Sequence, residues 1–191
     1  MRIGLFGGSF DPVHNGHLIV ARAAAERLAL DQVRLVLARQ QPFKAGRHGA
    51  TAEDRLMMLR VAVRDDPILV VDERELHRSG ASYTIDTLRE LHAERLQDEL
   101  VLLLGADAAH DLPTWKEAEA IPRLAAVVAL TRPGVVVPEH PLIDEAIGVP
   151  PVDVSATGIR ARCARGESIT DLVPAAVARY IAERRLYREG V

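Results

Sequence analysis

The sequence predicts an α/β domain built on a parallel sheet, doubly wound with helices on both faces. Three observations predict it. Short apolar runs alternate along the chain with segments of helical period, the order expected of strand–helix–strand units joined by right-handed crossovers. Runs such as Val33-Arg34-Leu35-Val36-Leu37 and Ile68-Leu69-Val70-Val71 are β-branched or leucine-rich, as strands buried on both faces are. A glycine-rich turn, Gly7-Gly8-Ser9, follows the first run directly and leads into a helical pattern.

Taken in order, strands are expected at about 2–7, 33–38, 68–72, 100–104, 126–130 and 149–153. Helices are expected at about 15–29, 52–64, 84–96, 114–124 and 174–185. Thr51-Ala52-Glu53-Asp54 has the form of a capping box that opens the second helix. Pro174 suits the first turn of the last one, and Ser155 suits an N-cap. The whole reads as one Rossmann-like domain, 1–191, with a small helical portion from about 155 to 191. Sheets of this kind bind ligands beyond the carboxyl ends of their strands, where the strand order reverses. The polar, Gly/Pro-rich segments 39–50 and 131–141 are candidate covers for such a site.

Composition narrows the function classes. With 48% hydrophobic residues, 27% charged residues and a net charge of −3, the chain shows no basic face that would suit a duplex nucleic acid. Its longest apolar runs are too short to span a bilayer. The first strand begins at Arg2 or Ile3, leaving no room for a signal peptide. The single cysteine, Cys163, excludes an internal disulfide and suits a reducing, cytoplasmic setting. Arginine is strongly preferred to lysine, so the two lysines, Lys44 and Lys116, stand out, as does the lone tryptophan, Trp115.

The segment Gly7-Gly8-Ser9-Phe10-Asp11-Pro12-Val13-His14-Asn15-Gly16-His17 carries the chemistry. Backbone N–H groups at a helix start have no intrahelical partners and favour anions. Two histidines three residues apart add side-chain donors on the same side. The segment is neither a dinucleotide fingerprint nor a Walker loop, since the G-x-G-x-x-G spacing and the Gly-Lys-Ser/Thr ending are both missing. Zinc ligation by His14 and His17 lacks a cysteine or third histidine at ligand spacing. His48, His77, His92, His110 and His140 show no mutual spacing and read as solvent-facing.

Letter for letter, this segment resembles the HxGH motif of the nucleotidyltransferase superfamily, in the long form of its adenylyltransferase branch. Val154-Ser155-Ala156-Thr157-Gly158-Ile159-Arg160 resembles the superfamily's second motif, ISSTxxR, with Ala156 where a second serine is usual. Further segments resemble the bacterial nicotinate-nucleotide adenylyltransferase family. They are Gln41-Pro42-Phe43-Lys44 with Asp54-Arg55-Leu56-Met57-Met58, Ser82-Tyr83-Thr84-Ile85-Asp86-Thr87-Leu88, Gly105-Ala106-Asp107, and Pro113-Thr114-Trp115-Lys116. The C-terminal run from Leu172 to Tyr187 matches that family's pattern as well. Phe43 and Asp54 stand where the family has histidines.

The resemblance implies transfer of the adenylyl group of ATP to nicotinate mononucleotide, with Mg²⁺ accompanying the ATP. His14, His17, Lys44 and Arg160 are the expected catalytic residues. Gly7, Gly8, Ser9, Phe10, Asp107, Ser155 and Thr157 join His14, His17 and Arg160 at ATP, and Lys44, Tyr83, Thr84, Trp115 and Lys116 hold the acceptor. Charge accounting gives the histidines their role. The acceptor phosphate has a second pKa near ~6 and is already mostly ionised, so no general base is required. Joining two anions calls for donors and cations. Trp115 can stack on a pyridine ring, and helix starts at Thr84 and Lys116 can grip a carboxylate. Two alternatives remain: another small adenylyltransferase, such as one acting on phosphopantetheine, and a non-catalytic nucleotide sensor. The first lacks the Tyr-Thr, Thr-Trp and C-terminal elements, and the second is expected to have lost one of the four catalytic residues. The sequence leaves homo-oligomerisation open.

Overall fold

A computed structural model describes residues 1–39, 49–94, 96–132, 134 and 140–188. Its core is a six-stranded sheet of β1 (Arg2–Gly8), β2 (Gln32–Leu37), β3 (Leu69–Asp72), β4 (Glu99–Gly105), β5 (Ala126–Thr131) and β6 (Glu145–Gly148). The spatial order is β3-β2-β1-β4-β5-β6, and every neighbouring pair is parallel. The helices are α1 (Asn15–Arg27), α2 (Ala52–Ala62), α3 (Thr84–Glu94), α4 (Ala106–Asp111), α5 (Ala156–Ala164) and α6 (Ala175–Arg184).

Alternation along each strand builds two cores. From β4, Val101 and Leu103 enter one cluster with α1, α2, α5 and α6, whereas Leu100, Leu102 and Leu104 enter the other with α3 and α4. The apolar runs are continuous because both faces are covered. The chain builds outward from β1 through β2 to β3, then crosses by way of α3 to β4 on the other side of β1. The strand order therefore reverses between β1 and β4, which puts a crevice at their carboxyl ends.

Three departures from the sequence reading have physical causes. The sixth strand is at Glu145–Gly148, not 149–153. Pro150 and Pro151 have no N–H to give a ladder, and only Ile147 of the short edge strand is buried, so it has no apolar signature. Segment 114–124 is not one α-helix but two 3-10 turns, Leu112–Thr114 and Ala118–Arg123, interrupted by Glu117 in the left-handed region and carrying Pro122 within. The six-residue helix α4, directly after Gly105, is too short to leave a helical period in the sequence.

Candidate active site

The floor of the crevice is open backbone. A Cβ added at Gly7 or at Gly105 meets nothing within 4 Å. Gly8 differs: a Cβ there would strike the Phe10 ring at 3.0 to 3.2 Å. Phe10 takes a left-handed backbone (φ 44°) and is 2% exposed, its ring edge-on to Phe6 and to His17. Its side chain thus supports the histidines from below, and only its backbone can face a ligand.

The histidines stack, with ring centroids 3.7 Å apart and planes 25° from parallel. The His14 N–H donates to His17 Nδ1 at 3.3 Å. That bond puts the His17 ring proton on Nε2. His14 is 7% exposed and its Nδ1 is buried without a hydrogen-bond partner. Burial depresses its pKa from 6.5 to about 4, so the ring is neutral at neutral pH. A neutral imidazole carries one N–H to donate, in keeping with the donor role the charge accounting calls for.

The second motif meets the first across the fold. Arg160 Nη1 donates to the Asp11 carbonyl at 2.7 Å, and its Nη2 to Thr157 Oγ1 at 3.2 Å. Ser155 caps α5 by accepting from the Gly158 N–H at 3.1 Å. A Cβ on Gly16 would strike Val154 at 2.9 Å, which is how close the segment before α5 lies to the start of α1. Asn15 ties the same turn to the C-terminal segment through Leu172 O and Asp171 O.

Two residues that sequence reasoning did not single out organise this end. Asp11, 4% exposed, accepts from the Gly49 and Ala50 N–H groups at 2.7 and 3.1 Å and from the Tyr187 hydroxyl at 2.7 Å. Burial and the adjacent Asp11 push the Tyr187 hydroxyl well above its ordinary range, so it stays a donor. Arg55, 1% exposed, donates to the carbonyls of Ser9, Ala38 and Arg39 at 2.8, 2.9 and 3.1 Å. It joins the carboxyl ends of β1 and β2. In the sequence Asp11 is in view only as part of the Gly7–His17 segment, and Arg55 only through the family resemblance of the element Asp54-Arg55-Leu56-Met57-Met58. Asp54, the other half of that element, is 5% exposed and bound to Tyr180, Thr51 and Arg184. Its side chain ties α2 to α6.

Among the residues expected to hold the acceptor, Thr84 is the first residue of α3 and Tyr83 immediately precedes it. Half-buried Trp115 packs on the second core after the 3-10 turn Leu112–Thr114. Lys116 Nζ lies 4.8 Å from the Tyr83 ring centroid. Asp107 is exposed in the first turn of α4, beside open Gly105. The structure therefore gathers His14, His17, Ser155, Thr157 and Arg160 at one end, and Tyr83, Thr84, Trp115 and Lys116 at the other. Lys44 and Phe43 lie outside the described residues, as do most of 39–50 and much of 131–141. Among the described residues, no group of three His, Cys, Asp or Glu could hold a metal ion, and no helix is long and apolar enough to cross a membrane.

A doubly wound sheet with a histidine pair and an arginine at its switch point defines a nucleotide-binding domain of the nucleotidyltransferase class. The cytidylyltransferase-like family model matches residues 5–162. A probable nicotinate-nucleotide adenylyltransferase of Thermus thermophilus is 49% identical over 188 residues, covering 98% of this chain and 100% of that one. A probable nicotinate-nucleotide adenylyltransferase of Roseiflexus sp. is 41% identical, covering 97% and 98%. The fold superposes on Plasmodium falciparum nicotinic acid mononucleotide adenylyltransferase complexed with NaAD, with TM-score 0.78, 19% identity and 97% of each chain covered. The chain belongs to the cytidylyltransferase-like family and, within it, to the nicotinate-nucleotide adenylyltransferases.

Proposed function

We propose that the protein transfers the adenylyl group of ATP to nicotinate mononucleotide, a step of NAD biosynthesis. An oxygen of the acceptor phosphate bonds to the α-phosphorus. The bond from that phosphorus to the α–β bridging oxygen breaks, and pyrophosphate leaves with the electron pair, giving nicotinate adenine dinucleotide. The observation that carries the reading is the meeting of the His14–His17 turn with Arg160 at the sheet's switch point, through the 2.7 Å bond from Arg160 to Asp11 O. Similarity to adenylyltransferases over nearly the whole chain supports the same conclusion.

The protein's own groups act by position and charge. The crevice between β1 and β4 admits the nucleotide over the open backbone of Gly7 and Gly105, with Gly8 and Ser9 following Gly7 in the turn. His14 and His17, at the N-terminus of α1, donate to phosphate oxygens and draw charge off the α-phosphate and the leaving group. Arg160 supplies a planar fork from the opposite wall, and Ser155 and Thr157 add hydroxyls at the start of α5. Lys44 is assigned to the phosphates from the other side, and Asp107 to the ribose diol. Donors of this kind suit Mg²⁺ that travels on the nucleotide, not one resident in the protein. Among the described residues, the buried carboxyl group of the phosphate turn, Asp11, is already engaged by Gly49, Ala50 and Tyr187, and Mg²⁺ prefers phosphate oxygens and water. Bound so, the ion neutralises negative charge on the phosphates.

Trp115 stacks on the pyridine ring, and the first N–H groups of α3 at Thr84, with the Lys116 N–H, receive the ring carboxylate. A nicotinamide presents an NH₂ donor to those donors and is disfavoured. Incubation with ATP, Mg²⁺ and, in turn, nicotinate mononucleotide, nicotinamide mononucleotide and phosphopantetheine tests the reading. Pyrophosphate and nicotinate adenine dinucleotide are expected, with the highest kcat/KM on the first acceptor. Equal kcat/KM for the two pyridine nucleotides removes the acceptor assignment, and no pyrophosphate with any acceptor favours a nucleotide sensor.

A further inference from the structure

The acceptor end is assembled from two chain segments joined by opposed charges. Lys116 Nζ lies 3.1 and 3.0 Å from the two carboxylate oxygens of Asp86. The next residue, Glu117, receives two bonds from Arg89 at 3.1 and 2.6 Å. Asp86 and Arg89 stand three residues apart on α3 and so share a face. The turn bearing Trp115 is thereby held against the first two turns of α3 by two ion pairs of opposite polarity. Lys116 is also one of only two lysines in an arginine-rich chain.

The position of Asp86 gives the pair a consequence for the ligand. An acidic residue in a first helical turn suits the helix dipole. This turn, however, is the one whose N–H groups at Thr84 would receive an acceptor carboxylate. A bare carboxylate two residues away would repel an anionic ring substituent and leave a neutral amide untouched. Lys116 spans both oxygens of Asp86 and cancels that repulsion.

We infer that Lys116, oriented by Asp86 and by the adjoining Arg89–Glu117 pair, is a specificity-determining residue that admits an anionic pyridine carboxylate at the start of α3. The inference rests on the nicotinate mononucleotide reading above and adds to it the charge that sets the preference.

The test compares kcat/KM for nicotinate and nicotinamide mononucleotides in the wild type, Lys116→Ala, Lys116→Arg and Lys116→Ala/Asp86→Asn. The pair is partly exposed, at 41% and 31% of its side chains, so solvent screening moderates the effect. Lys116→Ala is expected to lower the nicotinate preference by roughly three- to tenfold. The change falls on KM for nicotinate mononucleotide and grows as salt is lowered. Lys116→Arg keeps the preference, and adding Asp86→Asn to Lys116→Ala restores it. An unchanged ratio in Lys116→Ala, or a lowered one that Asp86→Asn leaves low, overturns the inference. Equal losses on both acceptors together with a raised KM for ATP mark a distorted site and overturn it too. Failure of the underlying reading is visible separately, as a wild type that forms no dinucleotide from nicotinate mononucleotide.

Discussion

The two ends of the crevice are built by different means. At the phosphate end, Asp11, His14 and Arg55 are 4%, 7% and 1% exposed, and the partners of Asp11 and Arg55 come from other parts of the chain. Arg160 reaches Asp11 across 149 positions and Tyr187 across 176. At the acceptor end the fixing contacts are surface ion pairs, with Arg89 and Glu117 49% and 45% exposed. Buried hydrogen bonds are costly to break because the surviving partner is left unsatisfied, whereas exposed pairs contribute little each. Geometry is therefore fixed by burial around the histidine turn and by exposed charge pairs around Thr84 and Trp115.

Substitutions at the two ends should separate in size. His17→Ala is expected to lower kcat on the order of 100-fold or more, as loss of a donor to developing charge does. Near-normal kcat would take His17 out of the chemistry. Acid should also act on the phosphate end first. The folded pKa of His14, about 4, lies below its ordinary 6.5, so between those values the unfolded chain takes up a proton that the folded chain refuses. Stability due to this residue is fully present above pH 6.5 and is lost as pH falls toward 4, by at most about 1.4 kcal/mol per unit. Thermal unfolding of the wild type and His14→Asn at about pH 7 and about pH 5 measures it, and the variant should show the flatter dependence. Tyr187→Phe removes one buried donor from Asp11 and should cost about 1 kcal/mol in urea unfolding. Glu117→Ala removes only an exposed charge pair and should cost clearly less than Tyr187→Phe, and that small cost should vanish in high salt. A cost for Glu117→Ala that equals that of Tyr187→Phe would erase the contrast between the ends.

The sequence showed some of this more readily than the rest. Five of the six strands lie where apolar runs put them, because burial on both faces leaves a continuous signature. Edge strand β6 lies ahead of its expected place because the apolar Val-Pro-Pro-Val beyond it carries the stronger signal. The single-helix reading of 114–124 fails at Glu117, whose left-handed turn points side chains away from a helical course. The histidine pair and Arg160 were legible because each lies in a short motif that resembles a family pattern within its own stretch of chain. Asp11, Arg55 and Tyr187 were not placed together because their contacts depend on how distant segments meet, which local periodicity does not encode. The Asp54 side chain, anomalous as a motif residue, becomes intelligible only beside Tyr180 and Arg184 of α6.

The bond from Tyr187 to Asp11 also bears on the order of synthesis. The turn that holds Asp11 is translated 176 residues before Tyr187, one of the donors that fixes it. A nascent chain can pair β1 with β2 and cover them with α1 well before then. The Asp11 side chain gains its tyrosine partner only once residue 187 has cleared the ribosome, so chains cut short of residue 187 should hold the Asp11 turn less firmly even where most of their sheet has folded.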